Sequence, residues 1–233
     1  MYAAIFDLDG INIDYETIIY YKANFETFST FMATLSDYCS RMGLKLSVDT
    51  NVPTATNQQC FDFVTLGNVC DYVIPMTYEQ YNGKTEACSV SDYDYYSYWI
   101  NELKKLVPAE RILMGVPFYG VSWVYKADGS FDFKSALTMA TQRARINENG
   151  VTPIWDENLG QFYAEYYSVS DGMLRRMYIE NTRSIARRLQ FVFDSGIAGS
   201  GCWRYGQQEA GVLDVFYQMY KCGTPSSYYD SAY

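Results

Sequence analysis

The chain has 233 residues, 48 % of them hydrophobic, a formal charge of −9 and no histidine. This composition suits a globular protein with a sizeable core rather than a disordered one, and an acidic chain without a basic patch argues against nucleic acid as a partner. The missing histidines exclude Ser-His and Cys-His catalysis and the usual zinc sites, no apolar run approaches the roughly 18 residues that span a membrane, and no cleavable leader is visible after Met1.

In chain order, Ala3 to Asp7 reads as the end of a helix, and Gly10 to Tyr15 alternates apolar and polar residues as a half-buried strand does. Ile18 to Met42 has helical periodicity. Leu44 to Val48 and Asp71 to Met76 are short apolar strand candidates, and Tyr95 to Leu106 reads as a helix that stops near Pro108. Arg111 to Pro117 is almost continuously apolar, as strands buried on both faces of a parallel sheet are. Residues 124–181 break this rhythm and read as an α+β insertion, with a helix over Ala136 to Ile146 and strands over Thr152 to Trp155 and Gln161 to Tyr167. Thr182 to Ser195 is a patterned helix ended by Gly196, followed by a strand over Ile197 to Trp203 and a helix over Val212 to Tyr220. The Ser/Tyr-rich residues 224–233 are expected to fray. Alternating strands and helices point to parallel strands with helical crossovers. The glycine patterns of dinucleotide and phosphate loops are absent, which favours a (β/α) barrel.

The segment Asp9-Gly10-Ile11-Asn12-Ile13-Asp14-Tyr15-Glu16 carries the chemistry. Residues two apart on a strand point the same way, so Asn12, Asp14 and Glu16 share one face and Ile11 and Ile13 the other. In a barrel the isoleucines would meet the outer helices, and the polar row would end at the C-terminal mouth, where barrel enzymes keep their catalytic groups. Neighbouring carboxylates push their proton affinities apart, and a glycosidase needs a protonated carboxyl to donate to the leaving oxygen. The 24 tyrosines and four tryptophans suit sugar stacking and equally suit an aromatic core. The six cysteines lack paired metal spacing, leaving disulfides and scattered buried thiols both open.

This segment resembles the signature of the family 18 glycoside hydrolases, Asp-x-x-Asp-x-Asp-x-Glu on the fourth barrel strand. Asp9, Asp14 and Glu16 match it, and Asn12 stands at the second position, which points to the bacterial spore-cortex and cell-wall branch. Residues 71–78 resemble the sixth strand, with Glu79 where many members have Asp. Residues 111–120 resemble the seventh strand and 196–203 the eighth, which ends in Trp203, while residues 155–157 and 178–181 resemble pieces of the insertion.

The resemblance implies a (β/α)8 TIM barrel of which only strands four to eight are present, because the fourth strand already begins near residue 9. The expected organisation is a partial catalytic barrel over 1–123, an insertion over 124–181, the end of the barrel over 182–223 and a flexible tail over 224–233. The implied reaction is substrate-assisted, retaining hydrolysis of glycans containing N-acetylglucosamine, of peptidoglycan or chitin type, without a cofactor. Glu16 would be general acid and then base, and Asp14 would orient the substrate's acetamido group. Asn12 would hydrogen-bond Asp14, Tyr78 would donate to the acetamido oxygen, and Trp203 would stack beneath the sugar. Asp9, Met76, Glu79 and Tyr119 are the further substrate-binding candidates. A non-catalytic carbohydrate-binding protein or an inactive fragment is the alternative. The parent protein would be secreted or cell-wall associated.

Overall fold

The computed structural model describes residues 2–16, 24–82, 84 and 86–223. In chain order the helices are α1 (Tyr2–Ile5), α2 (Phe25–Arg41), α3 (Phe63–Val69), α4 (Tyr93–Leu103), α5 (Met139–Asn149), α6 (Thr182–Ser195) and α7 (Val212–Cys222). The strands are β1 (Gly10–Ile13), β2 (Lys45–Thr50), β3 (Tyr72–Pro75), β4 (Leu113–Pro117), β5 (Tyr119–Tyr125), β6 (Phe131–Thr138), β7 (Ile154–Asp156), β8 (Gln161–Tyr167), β9 (Leu174–Ile179) and β10 (Gly199–Trp203). They form two compact units: Met1–Thr77 with Tyr98–Gly115 and Ser195–Gly201, and Tyr78–Ser97 with Val116–Asp194 and Cys202–Tyr233.

The first unit is an α/β layer. β1, β2 and β3 run parallel in that order, with Gly10 opposite Lys45, Asn12 opposite Ser47 and Asp49 opposite Ile74. A parallel bridge between Val73 and Ile112 leads to β4, which pairs with β10. Among the described residues the layer is open, with β1 and β10 each paired on one side only. On β2 the alternation is clean. Leu46, Val48 and Thr50 are buried, while Ser47 and Asp49 lie half-buried on the opposite face, the face that Asn12 shares across the register. The helix α2 buries Phe28, Met32 and Cys39, and a wholly buried side chain such as Met32 contributes about 1.5–3 kcal/mol. The chain leaves α2 through Gly43 at φ +69°, the left-handed conformation that favours glycine after a helix end. Gly10 answers a different need, because a Cβ there would stand 2.6 Å from the Lys45 carbonyl oxygen. Close pairing of β1 with β2 therefore requires that glycine.

The second unit is built on an antiparallel sheet of order β6-β5-β9-β8-β7. One face buries Leu137, Phe162, Ala164, Tyr166, Met177 and Ile179 together with Ile146 of α5. The other face carries Tyr119, Val121, Trp123 and Tyr178. The helix α6 contributes Arg188, fully buried against Glu180, with Nη2 donating to Oε1 at 2.5 Å. Ser184 Oγ donates to the other Glu180 oxygen at 2.7 Å, and Arg188 also donates to the Ser91 carbonyl.

Several sequence expectations need correction. The helix expected over Ala136 to Ile146 begins at Met139, because residues 136–138 complete β6 and Thr138 caps the helix, its Oγ1 accepting from Thr141 N at 3.2 Å. The strands β5, β6 and β9 and the helix α3 were not expected. In β9, Arg175 and Arg176 interrupt the apolar pattern, yet each is neutralised locally, by Asp171 and Glu165 respectively. Within Ile18 to Met42, residues 17–23 lie outside the described residues, as do residues 224–233. Cys39, Cys70, Cys88 and Cys202 are free thiols.

Candidate active site

The nine residues singled out in the sequence fall into two groups, each held within one unit. Asp9, Asn12, Asp14, Glu16 and Met76 belong to the first, and Tyr78, Glu79, Tyr119 and Trp203 to the second.

In the first unit, β1 ends at Ile13, so Asp14 and Glu16 lie just past its carboxyl end, both exposed. Between them Tyr15 turns its ring toward α2, 6.3 Å from Phe28 and 6.1 Å from Phe31. Asp9 is exposed, and its carbonyl accepts from Lys45 N at 2.9 Å, aligning the two strands. Met76 follows β3, its N–H donating to the Thr50 carbonyl at 2.8 Å.

Asn12 does not bond to Asp14 as expected. Its Nδ2 donates to Asp49 Oδ2 at 2.6 Å, and its Oδ1 accepts from Ser47 Oγ at 2.7 Å. The reason is the register: Ser47 stands directly opposite Asn12, Asp49 is two residues further on the same face of β2, and Asp14 lies beyond the end of β1. Burial raises the Asp49 pKa above the ordinary aspartate value. The hydrogen bond from Asn12 works against that rise, and the negative charges of Asp14 and Glu16 add to it. Asp49 is thus a third carboxylate in electrostatic contact with the row, and it was not among the expected site residues. An acid closing an apolar strand, at the end where barrels carry their chemistry, was the available signal.

In the second unit, Tyr78 and Tyr119 meet edge to face with ring centroids 6.3 Å apart. Tyr119 is buried, and burial raises its phenol pKa, followed by the influence of Tyr81, Glu79 and Tyr78. Tyr81 meets Trp123 edge to face at 6.1 Å, and Trp123 Nε1 donates to the Cys88 carbonyl at 2.8 Å. Glu79 is exposed and adopts φ +59°, a left-handed conformation that costs a non-glycine residue about 1–3 kcal/mol. Its Oε2 accepts from Asn82 Nδ2 at 2.9 Å. Trp203 is 51 % exposed, its carbonyl accepts from Phe118 N at 2.7 Å, and the Trp203–Arg204 peptide is cis. Among the described residues no group of Cys, Asp and Glu is arranged to hold a metal ion.

Without histidine, acid–base chemistry in this chain falls to carboxylates and phenols. Acids gathered at the carboxyl ends of parallel strands stand where α/β enzymes carry their catalytic groups. Residues 3–208 match the family described as Glycosyl hydrolases family 18, and the chain belongs to that family. The cortical fragment-lytic enzyme of Bacillus subtilis (strain 168) is 26 % identical over 196 residues, which cover 78 % of this chain and 43 % of that protein. Two of the solved structures that share the fold illustrate the likeness. A chitinase from Chromobacterium violaceum matches with a TM-score of 0.81 at 24 % identity, over 94 % of this chain and 68 % of that one. The spore cortex-lytic enzyme SleL of Bacillus megaterium matches with a TM-score of 0.79 at 19 % identity, over 92 % and 50 %. The chain spans about half the length of the curated relatives it matches.

Proposed function

We propose that this chain carries the catalytic residues of a glycosidase that cleaves glycans containing N-acetylglucosamine, of peptidoglycan or chitin type, by substrate-assisted retaining hydrolysis. The observation that carries the reading is the acidic row: Asp14 and Glu16 exposed past β1, with Asn12 and Asp49 hydrogen-bonded behind them. The relatives named as cortex-lytic enzymes and chitinases support the substrate class. On this reading β1, β2, β3, β4 and β10 are strands four to eight of the family barrel, and the parent protein is secreted or cell-wall associated.

Glu16 gives its proton to the glycosidic oxygen as the bond to the anomeric carbon breaks. The substrate's acetamido carbonyl oxygen bonds to that carbon, so the enzyme needs no nucleophile of its own. Asp14 orients the acetamido group and balances its developing positive charge. Glu16 then removes a proton from water, which attacks the anomeric carbon and restores the acetamide. Tyr78 donates to the acetamido oxygen and Trp203 offers its exposed ring to the sugar face. Asp9, Met76, Glu79 and Tyr119 are assigned to substrate binding.

The test is digestion of purified peptidoglycan and of chito-oligosaccharides, with the products read by mass spectrometry. Fragments ending in a reducing N-acetylglucosamine support the reading. Intact substrate that nevertheless binds the folded chain would favour a carbohydrate-binding role instead.

A further inference from the structure

The acidic row has a member that arrives from the neighbouring strand. Asp49 sits at the carboxyl end of β2, half-buried, on the face shared with Asn12 and Ser47. Ser47 Oγ donates to the amide oxygen of Asn12 at 2.7 Å, and the amide nitrogen donates to Asp49 at 2.6 Å, so the Asn12 amide can point only one way. The row carries an amide at residue 12, where a family member with the full signature carries a carboxylate. One strand over, at the far end of that amide's hydrogen bond, stands a carboxylate.

We propose that Asp49 is a positioning residue of the catalytic row, supplying from β2 the carboxylate that residue 12 lacks and fixing Asn12 behind Asp14 and Glu16. The inference rests for its functional meaning on the glycosidase reading. A negative charge in this position strengthens the field that meets positive charge developing on the acetamido group. The charges of Asp14 and Glu16 in turn make ionisation of the half-buried Asp49 more costly, adding to the effect of its burial.

The groups around Asp49 are few. Asp14 and Glu16 face it from the segment that follows β1. On its own strand Lys45 is held by Asp71, with Nζ to Oδ1 at 2.7 Å. On β3 the titratable residue is Tyr72, opposite Ser47, while Ile74 stands opposite Asp49 itself. The direction of the Asp49 shift agrees with this arrangement, with burial its largest cause and the two acids adding to it.

Carbon-detected NMR titration of the Asp49 carboxyl in the full chain tests the inference without substrate. The comparison is between the native sequence, Glu16→Gln, Asp14→Asn and Asn12→Ala. Asp14 and Glu16 are exposed, so the first two variants leave the packing intact. The expected result is a midpoint that falls in Glu16→Gln and in Asp14→Asn, each of which removes a negative neighbour. In Asn12→Ala the midpoint rises, because a bond favouring the charged form is gone. An Asp49 midpoint unmoved in all three folded variants overturns the proposal. A chain that fails to hydrolyse glycans while Asp49 responds as described overturns the glycosidase reading and leaves the coupling intact; an active chain with an indifferent Asp49 does the reverse.

Discussion

Arg188 and Glu180 form an ion pair in which both side chains are out of solvent, 1 % and 0 % exposed. Its hydrogen bonds are completed inside the second unit, by Ser184 on the acid and by the Ser91 carbonyl on the guanidinium, and the guanidinium carbon lies 4.9 Å from the centre of the Tyr96 ring. Removing one partner leaves a buried charge unanswered, at a cost of about 3–5 kcal/mol. Glu180→Ala is therefore expected to lower stability by that order. Glu180→Leu combined with Arg188→Met should recover much of the loss, both read by urea unfolding.

Gly10 is expected to tolerate no side chain. A methyl group there meets the Lys45 carbonyl 2.6 Å away, against backbone that cannot yield without breaking the β1–β2 register. Gly10→Ala should cost about 1–3 kcal/mol through overpacking. It should also displace the strand that carries Asn12, so amide exchange at β1 should speed up together with the global loss.

The cap of α3 is a local prediction. Asp62 Oδ1 accepts from Thr65 N at 3.0 Å, and Thr65 Oγ1 donates to Asp62 Oδ2 at 2.6 Å. Asp62→Ala should destabilise by about 0.5–2 kcal/mol, and Asp62→Ser should restore most of it in a thermal melt.

Stability should also depend on pH through Asp49. Its folded pKa is raised above the ordinary value of 3.8, chiefly by burial. The folded chain then binds a proton that the unfolded chain has already released, so the slope of unfolding free energy with pH is negative in that window. The contribution is fully present below the unfolded pKa and is lost as pH rises through the folded one. Asp49→Asn removes this slope. The variant should gain stability relative to the native sequence on going from acid to neutral pH, as measured by denaturant midpoints across that range.

Much of this arrangement was legible in the sequence, because strong periodicity and a sharp breaker mark an element well. The helix α6 begins at Thr182 and ends at Ser195 before Gly196, and β8 runs from Gln161 to Tyr167, both where the residues placed them. The strand β9 was hidden because Arg175 and Arg176 interrupt its apolar pattern, and the acid that answers Arg176, Glu165, is brought beside it by the pairing of β8 with β9. The helix α3 spans seven residues, too short for periodicity to show. The acidic row was visible as a local pattern, but the partner of Asn12 was not. The family resemblance implied Asp14, whereas the bond runs across the sheet to Asp49, and strand register is not written in one strand.

The central claim is that Glu16 is the acid and base of glycan hydrolysis. The most direct test compares kcat/KM for chito-oligosaccharide cleavage by the native chain and by Glu16→Gln, which keeps the shape of the side chain and removes its proton transfer. The account predicts measurable cleavage by the native chain and a fall of about 10²–10⁴-fold in the variant. Equal rates in the two folded proteins would contradict it.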